Sequence, residues 1–345
     1  MELKEYGKEF EREDERKVAK RKENLIRKMR CPRCGYDQLK LEVKEGAKLK
    51  ILDVTCGRCG WNSRYLEKSR DFLGVGLVGC GAIGTVLAHA IDEGKAGDAR
   101  LLSLYDLDIN KCEKLVKELF HKPLIAETFS ELIECEDVDL IIEAASQEAV
   151  RQYALRTLQA GKDLMIMSVG ALVDTRLTEK IRSLVKGGKR MVYLPSGAIA
   201  GIDGLKAAAI GRIDEVTLRT RKPPRGLSGA LYIKEKKIDL NSISGTKTIY
   251  EGPAEEACKF FPKNVNVAAA LSLAGVGPKK TKVQIVVDPT IQKNIHEIDV
   301  KGEFGELTVL TQNVVSPINP KTSALAVFSA IATLKKITEG FQIGT

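Results

Sequence analysis

The apolar run Phe72-Leu73-Gly74-Val75-Gly76-Leu77-Val78 leads directly into Gly79-Cys80-Gly81-Ala82-Ile83-Gly84. A short strand, a G-x-G-x-x-G turn and a helix opening behind it form the first βα unit of a doubly wound sheet. Each glycine has its own physical reason. Gly79 permits the tight turn, Gly81 lets backbone approach a pyrophosphate, and Gly84 lets the helix pack closely on the strand. Ala82 and Ile83 open the helix, whose N-terminal N–H groups favour phosphate charge. A second strand, Arg100–Tyr105, ends on Asp106, 22 residues after Gly84. An acid there accepts from ribose hydroxyls and repels a 2′-phosphate, which favours NAD, with NADP as the alternative. Asp108, just beyond, reads as a helix cap.

Strand and helix signals go on alternating. Helices are expected to about Glu93, over Ile109–Leu119, to Ala160 and over Thr175–Lys186. Strands are expected at 124–127, Val138–Ala144, Leu164–Ser168 and Arg190–Leu194, with a capped helical turn at Ser130–Ile133. The alternation predicts a Rossmann-type α/β domain with a parallel sheet over residues 71–200. Ala145 and Ser146 follow one strand and Ser168–Ala171 follows the next. Small residues at that carboxyl edge leave room for the nicotinamide half of a dinucleotide.

From about residue 210 the pattern changes to longer strands. Val216–Thr220, Lys282–Val287, His296–Val300 and Glu306–Gln312 are interleaved with helices at about 264–274 and 321–336. This predicts a second, α+β domain over 201–330, with a mainly antiparallel sheet covered by helices on one face. Residues 331–345 read as a helix end and tail.

The N-terminal part is of another kind. Residues 1–30 read as a charged helical extension and 31–70 as a small zinc ribbon. Cys31-x-x-Cys34 and Cys56-x-x-Cys59 are separated by 21 residues with β-like alternation around Glu45-Gly46. Two such turns converging on one ion make a closed four-thiolate site, which suits structural zinc. The glycine after each second cysteine permits the turn. Residues 1–70 hold 20 Lys and Arg against 13 Asp and Glu, a net of +7 out of +9 for the whole chain. Such an excess raises a nucleic-acid partner as a minor reading. Against it, the signs are interleaved and Tyr36, Trp61 and Tyr65 form no base-stacking row. The other four cysteines, Cys80, Cys112, Cys135 and Cys258, share no spacing and read as small apolar residues. No run of 18 apolar residues and no signal-type h-region appears, which predicts a cytoplasmic protein without a membrane span.

Three further segments have unusual composition: Leu194-Pro195-Ser196-Gly197-Ala198-Ile199-Ala200-Gly201-Ile202-Asp203-Gly204, Phe261-Pro262-Lys263-Asn264-Val265-Asn266-Val267-Ala268, and Asn294-Ile295-His296-Glu297-Ile298. Together with the glycine turn they resemble the L-aspartate dehydrogenase family over about residues 74–340. The resemblance does not extend to the cysteine-bearing N-terminus. It implies oxidation of L-aspartate to iminoaspartate with NAD or NADP. The product then hydrolyses to oxaloacetate and ammonia, or passes to quinolinate synthase as a downstream partner. It carries the family's catalytic histidine onto His296 and cofactor contacts onto Ala198 and Asn266. Related folds also suggest a homodimer through the second sheet, by analogy.

The residues allow the same chemistry. Losing a hydride from an amine carbon requires the amine to be neutral, so a base is needed, and histidine suits that role. Of three histidines, His89 falls inside the first helix and His121 in a polar loop, which leaves His296. Its role stays open between taking up a proton, relaying one and orienting substrate or water. A dicarboxylate needs cationic or hydroxyl partners; Ser196 and Lys263 lead, with Arg219 and Lys222 behind them. The stretch Arg219–Pro224 alternates sides of a strand, so at most half of it faces any one site. Two alternatives remain: a related dehydrogenase or reductase of another small amino-acid substrate, and an NAD(H)-sensing regulator that binds nucleic acid.

Overall fold

Strand pairing organises the chain into three sheets. The computed structural model describes residues 30–31, 33–36, 39–45, 49–68, 72–262, 266–314 and 323–344. The expected charged helix lies outside these residues, apart from Arg30. The described chain falls into two compact units, 1–71 and 72–345.

In the first unit, β1 (Leu39–Glu45), β2 (Leu49–Cys56) and β3 (Asn62–Lys68) form an antiparallel meander. Leu39 stands opposite Cys56 and Thr55 opposite Asn62, so both cysteine turns gather at one end of the sheet.

The second unit begins with β4 (Leu73–Val78), α1 (Ala82–Asp92), β5 (Ala99–Tyr105), α2 (Ile109–Glu118), β6 (Leu124–Ile125) and α3 (Phe129–Glu134). It continues through β7 (Leu140–Glu143), α4 (Gln147–Gln159), β8 (Asp163–Ile166), α5 (Thr175–Val185) and β9 (Val192–Tyr193). All six strands pair in parallel, in the order β6-β5-β4-β7-β8-β9. The order reverses at β4, so the glycine turn at its carboxyl end sits at the switch point where such sheets bind ligands. This is the Rossmann-type sheet that the alternation predicts. β4 and β7 are buried almost throughout, as strands covered on both faces must be.

Then come α6 (Ile202–Ala208), β10 (Ile213–Lys222), α7 (Pro224–Leu227), α8 (Leu231–Glu235), β11 (Lys247–Pro253), α9 (Ala254–Phe260) and α10 (Asn266–Ala274). After β12 (Lys282–Val287), β13 (Asn294–Gly302) and β14 (Gly305–Asn313), the chain closes with α11 (Ala324–Thr338). The five strands are ordered β11-β12-β10-β13-β14, antiparallel except for β10 with β12. Alternation gives the sheet two unlike faces. Val216, Leu218, Thr220 and Lys222 of β10 are buried beside Asn294, His296, Ile298 and Val300 of β13. The opposite face carries ion pairs such as Arg219 with Glu297 and Lys282 with Glu215.

α11 does not stay with this second sheet. Its Val327, Ala330 and Leu334 pack with Leu87 and Ile91 of α1 and Leu115 of α2. Its end crowds Gly97, where an added Cβ would stand 2.2 Å from Thr338 Oγ1. Among the described residues, no helix is long and apolar enough to cross a membrane.

Candidate active site

The glycine turn is built as its spacing requires. Gly79 has φ +99°, and a Cβ there would meet the Ala144 carbonyl carbon and Ala145 Cβ at 2.8 Å. A Cβ on Gly84 would stand 1.9 Å from the Gly79 carbonyl oxygen, so only glycine lets α1 approach β4 this closely. A Cβ on Gly81 meets nothing within 4 Å, so open space lies where a pyrophosphate would approach. α1 begins with no side-chain cap and no acid in its first turn, which leaves the N–H groups around Ala82 and Ile83 suited to an anion. These features fit a dinucleotide.

Asp106 is docked beneath the same turn. Its Oδ2 accepts from the Cys80 N–H at 2.8 Å and its Oδ1 from the Asp108 N–H at 2.9 Å. Lys111 Nζ lies 3.4 Å from Oδ1. Asp108 caps α2 by accepting from Asn110 N–H.

Ala145 and Ser146 are exposed at the carboxyl end of β7. Ser146 also caps α4, its Oγ accepting from Ala149 N–H at 3.1 Å. Beneath them is a residue that sequence reasoning passed over. Glu143 is buried, and its carboxylate accepts from the N–H groups of Ala145, Ser146 and Ser168 and from Ser168 Oγ, at 2.8–3.0 Å. One acid thus holds together the turns that end β7 and β8. Burial pushes its pKa up, against those four donors. Its signal in the sequence is an acid closing the apolar strand Leu140-Ile141-Ile142-Glu143.

Asn266 opens α10 and reaches across to the turn after β8 of the parallel sheet, its Oδ1 accepting from Gly170 N–H at 3.1 Å. Ala198 is bound to the second sheet: its carbonyl accepts from Asn313 Nδ2 at 2.8 Å. Thr311 Oγ1 lies 3.3 Å from the carbonyl oxygens of both Ala198 and His296. The turn through Ser196, Gly197 and Ala198 is therefore fastened to the strands that carry His296. Ser196 is half-buried in that turn, and Gly197 N–H donates to Ser329 Oγ of α11 at 3.0 Å. Lys263 lies outside the described residues.

His296 is 2% exposed. Its Nδ1 is 3.0 Å from Thr220 Oγ1, directly across from it in the β10–β13 register. Burial, and secondarily the charge of Lys222, push its pKa down to about 3, so the ring is neutral at neutral pH. Lys222, two residues past Thr220 on the same face, is itself buried, and desolvation lowers its pKa to about 8. Asn294, two residues before His296, donates from Nδ2 to Ser323 Oγ at 3.2 Å, while its buried Oδ1 has no partner among the described residues. Arg219 and Arg221 point to the other face, toward Glu297 and Asp288. Of the strand cations, Lys222 is the one that the fold brings to His296.

The remaining histidines serve elsewhere. His89 lies 3.4 Å from Glu118, and His121 Nδ1 2.8 Å from Asp92, whose carboxylate also accepts from the Phe120 and His121 N–H groups.

In the first unit the four cysteine sulfurs converge within 4.8 Å of one another. Cys31 and Cys59 stand 3.6 Å apart and Cys34 and Cys56 3.7 Å. The two turns are alike: Gly35 N–H donates to Cys31 O and Gly60 N–H to Cys56 O, with φ of +71° and +69° at the glycines.

Comparison with known proteins shows the family. The model described as "Aspartate dehydrogenase, C-terminal" matches residues 203–337, and that of the homoserine dehydrogenase NAD-binding domain matches 79–195. The L-aspartate dehydrogenase of Methanosarcina barkeri is 48% identical over 273 residues, covering 79% of this chain and all of the relative. That of Nitrosopumilus maritimus is 44% identical, again over 79% of this chain and 99% of its own. The crystal structure of aspartate dehydrogenase from Thermotoga maritima superposes with a TM-score of 0.62 at 29% identity, covering 79% of this chain and 99% of that one. The chain belongs to the L-aspartate dehydrogenase family.

Proposed function

We propose that His296 is the proton acceptor in the NAD(P)-dependent oxidation of L-aspartate to iminoaspartate. Family membership makes the chain an oxidoreductase of this class. The observation that carries the residue assignment is the buried, neutral imidazole held by Thr220 on strands fastened to Ala198.

The bound nicotinamide supplies the acceptor for the hydride that leaves Cα. The glycines at 79, 81 and 84 and the opening of α1 at Ala82 and Ile83 would hold the pyrophosphate. Asp106 takes the adenosine ribose hydroxyls and so favours NAD over NADP. Ala145, Ser146, Ala198 and Asn266 would line the nicotinamide half and Ser196 would meet the substrate, with Lys263 carried as a candidate from the sequence alone. With Nδ1–H donated to Thr220, Nε2 of His296 is left to accept the ammonium proton of aspartate. That gives the neutral amine from which hydride loss is favourable. Burial, and secondarily the charge of Lys222, hold the ring's pKa at about 3. Two carboxylates brought beside it favour the protonated imidazolium and raise its basicity. The imine is then released to hydrolyse to oxaloacetate and ammonia, or to enter quinolinate synthesis.

A turnover panel of L-aspartate, L-asparagine, L-homoserine and L-alanine with NAD and NADP tests this reading. L-aspartate with NAD is expected to dominate kcat/KM. Preferred turnover of another substrate would overturn it.

The four cysteines are proposed as a structural zinc site. A tetrahedral ion at about 2.3 Å from each sulfur requires about 3.8 Å between sulfurs, close to the spacing found. A homodimer through the ion-paired face of the second sheet and a cytoplasmic location complete the proposal.

A further inference from the structure

The buried face of the second sheet brings three unlike polar groups together. Lys222, Asn294 and His296 are each 3% exposed or less. Lys222 follows Thr220 by two residues on β10, and Asn294 precedes His296 by two on β13, so the antiparallel pair carries both toward the same end. Gly226 of α7 lies over that end. A Cβ placed there would stand 3.5 Å from Lys222 Cβ and 3.8 Å from Asn294 Oδ1. Asn294 Oδ1 is a buried acceptor with no donor among the described residues. Leaving such an atom unpaired costs about 1–3 kcal/mol, which a ligand N–H would recover. Lys222 shares this buried face with His296, two residues beyond its register partner Thr220.

We infer that Lys222 and Asn294 form the amino-acid receptor of this site, Lys222 taking a substrate carboxylate and Asn294 Oδ1 accepting from the substrate amine. The inference rests on the proposed oxidation of L-aspartate at His296. A buried ammonium is a strong partner for a carboxylate, because the pair meets away from water. An amide oxygen accepts from an N–H but gives nothing to a carboxylate. The two residues therefore sort the two ends of an amino acid: one reads the anion, the other the amine. Arg219 and Arg221 cannot share the task, since they face the far side of the sheet.

Succinate, a dicarboxylate without an amine, separates the two roles. Steady-state kinetics with L-aspartate and NAD, inhibition by succinate and NADH binding by fluorescence are measured for wild type, Lys222→Met, Lys222→Gln and Asn294→Leu. Both Lys222 variants are expected to raise the aspartate KM and the succinate Ki by at least roughly 100-fold, the range for loss of a buried charge-assisted contact. Asn294→Leu should raise the aspartate KM by roughly tenfold and leave the succinate Ki within threefold, as loss of one hydrogen bond predicts. NADH affinity should be unchanged in all. If the folded Lys222 variants keep both constants within threefold, the carboxylate role is overturned. Equal shifts of KM and Ki in Asn294→Leu would overturn the amine role. A wild type that does not turn over aspartate at all would sink the parent reading instead.

Discussion

Thr220 Oγ1 and His296 Nδ1 lie 3.0 Å apart, on residues directly opposed across β10 and β13. The contact fixes the ring in a setting where burial keeps it neutral, and it decides which ring nitrogen remains for chemistry.

Thr220→Val removes that partner while keeping the shape of the side chain. A buried hydrogen bond of about 1 kcal/mol corresponds to roughly a fivefold effect on rate. We expect kcat to fall by about that much or more, with NADH affinity unchanged. Stopped-flow measurement of the hydride step checks it.

The glycine turn predicts a split between folding and binding. Gly84→Ala drives a methyl into the Gly79 carbonyl and should destabilise the fold by roughly 1–3 kcal/mol, as overpacking does. Gly81→Ala meets open space and should leave the melting temperature of the ligand-free protein unchanged while weakening NAD. Thermal melts with and without NADH separate the two variants.

Lys222 sets a pH dependence. Its folded pKa is lowered from 10.5 to about 8. Between those values the unfolded chain holds a proton that the folded chain has lost, so stability rises with pH across that window. Below about pH 8 both states are protonated and the full desolvation penalty remains. Lys222→Met should therefore remove this rise, which amounts to about 3.4 kcal/mol between pH 8 and 10.5 at 1.36 kcal/mol per unit. His296 acts on the acid side: its pKa falls from 6.5 to about 3, so its contribution is lost as pH drops through that range. Denaturant melts of wild type, Lys222→Met and His296→Gln across pH measure both.

One zinc per chain is expected by elemental analysis, and Cys31→Ser with Cys56→Ser should abolish it. Chelation of the whole protein should release the metal and disorder the β1–β3 sheet, since such sites contribute folding energy directly. NADH binding by the dehydrogenase unit should survive.

Local signals made much of this legible. The run from β4 through the glycine turn to α1 declares itself, because strand period, glycine spacing and the acid at Asp106 are short-range patterns. Period-two alternation also predicted that Arg219 and Lys222 face opposite ways. It could not tell which of them faces the helices, because that depends on what packs on each face. The Thr220–His296 contact joins residues 76 positions apart and exists only through strand register. Glu143 was hidden for a related reason: its four donors belong to two different turns. β11 was missed because Lys247–Pro253 is an edge strand with little apolar alternation. The return of α11 to the helices of the parallel sheet reflects a packing choice that an amphipathic helix does not announce.

The most direct test is NADH formation at 340 nm from L-aspartate and NAD, with wild type beside His296→Ala. Removing a general base is expected to lower kcat by roughly 100- to 10,000-fold, with NADH binding intact. A variant that binds NADH and still turns over aspartate within tenfold of wild type would contradict the account, placing proton transfer on another group.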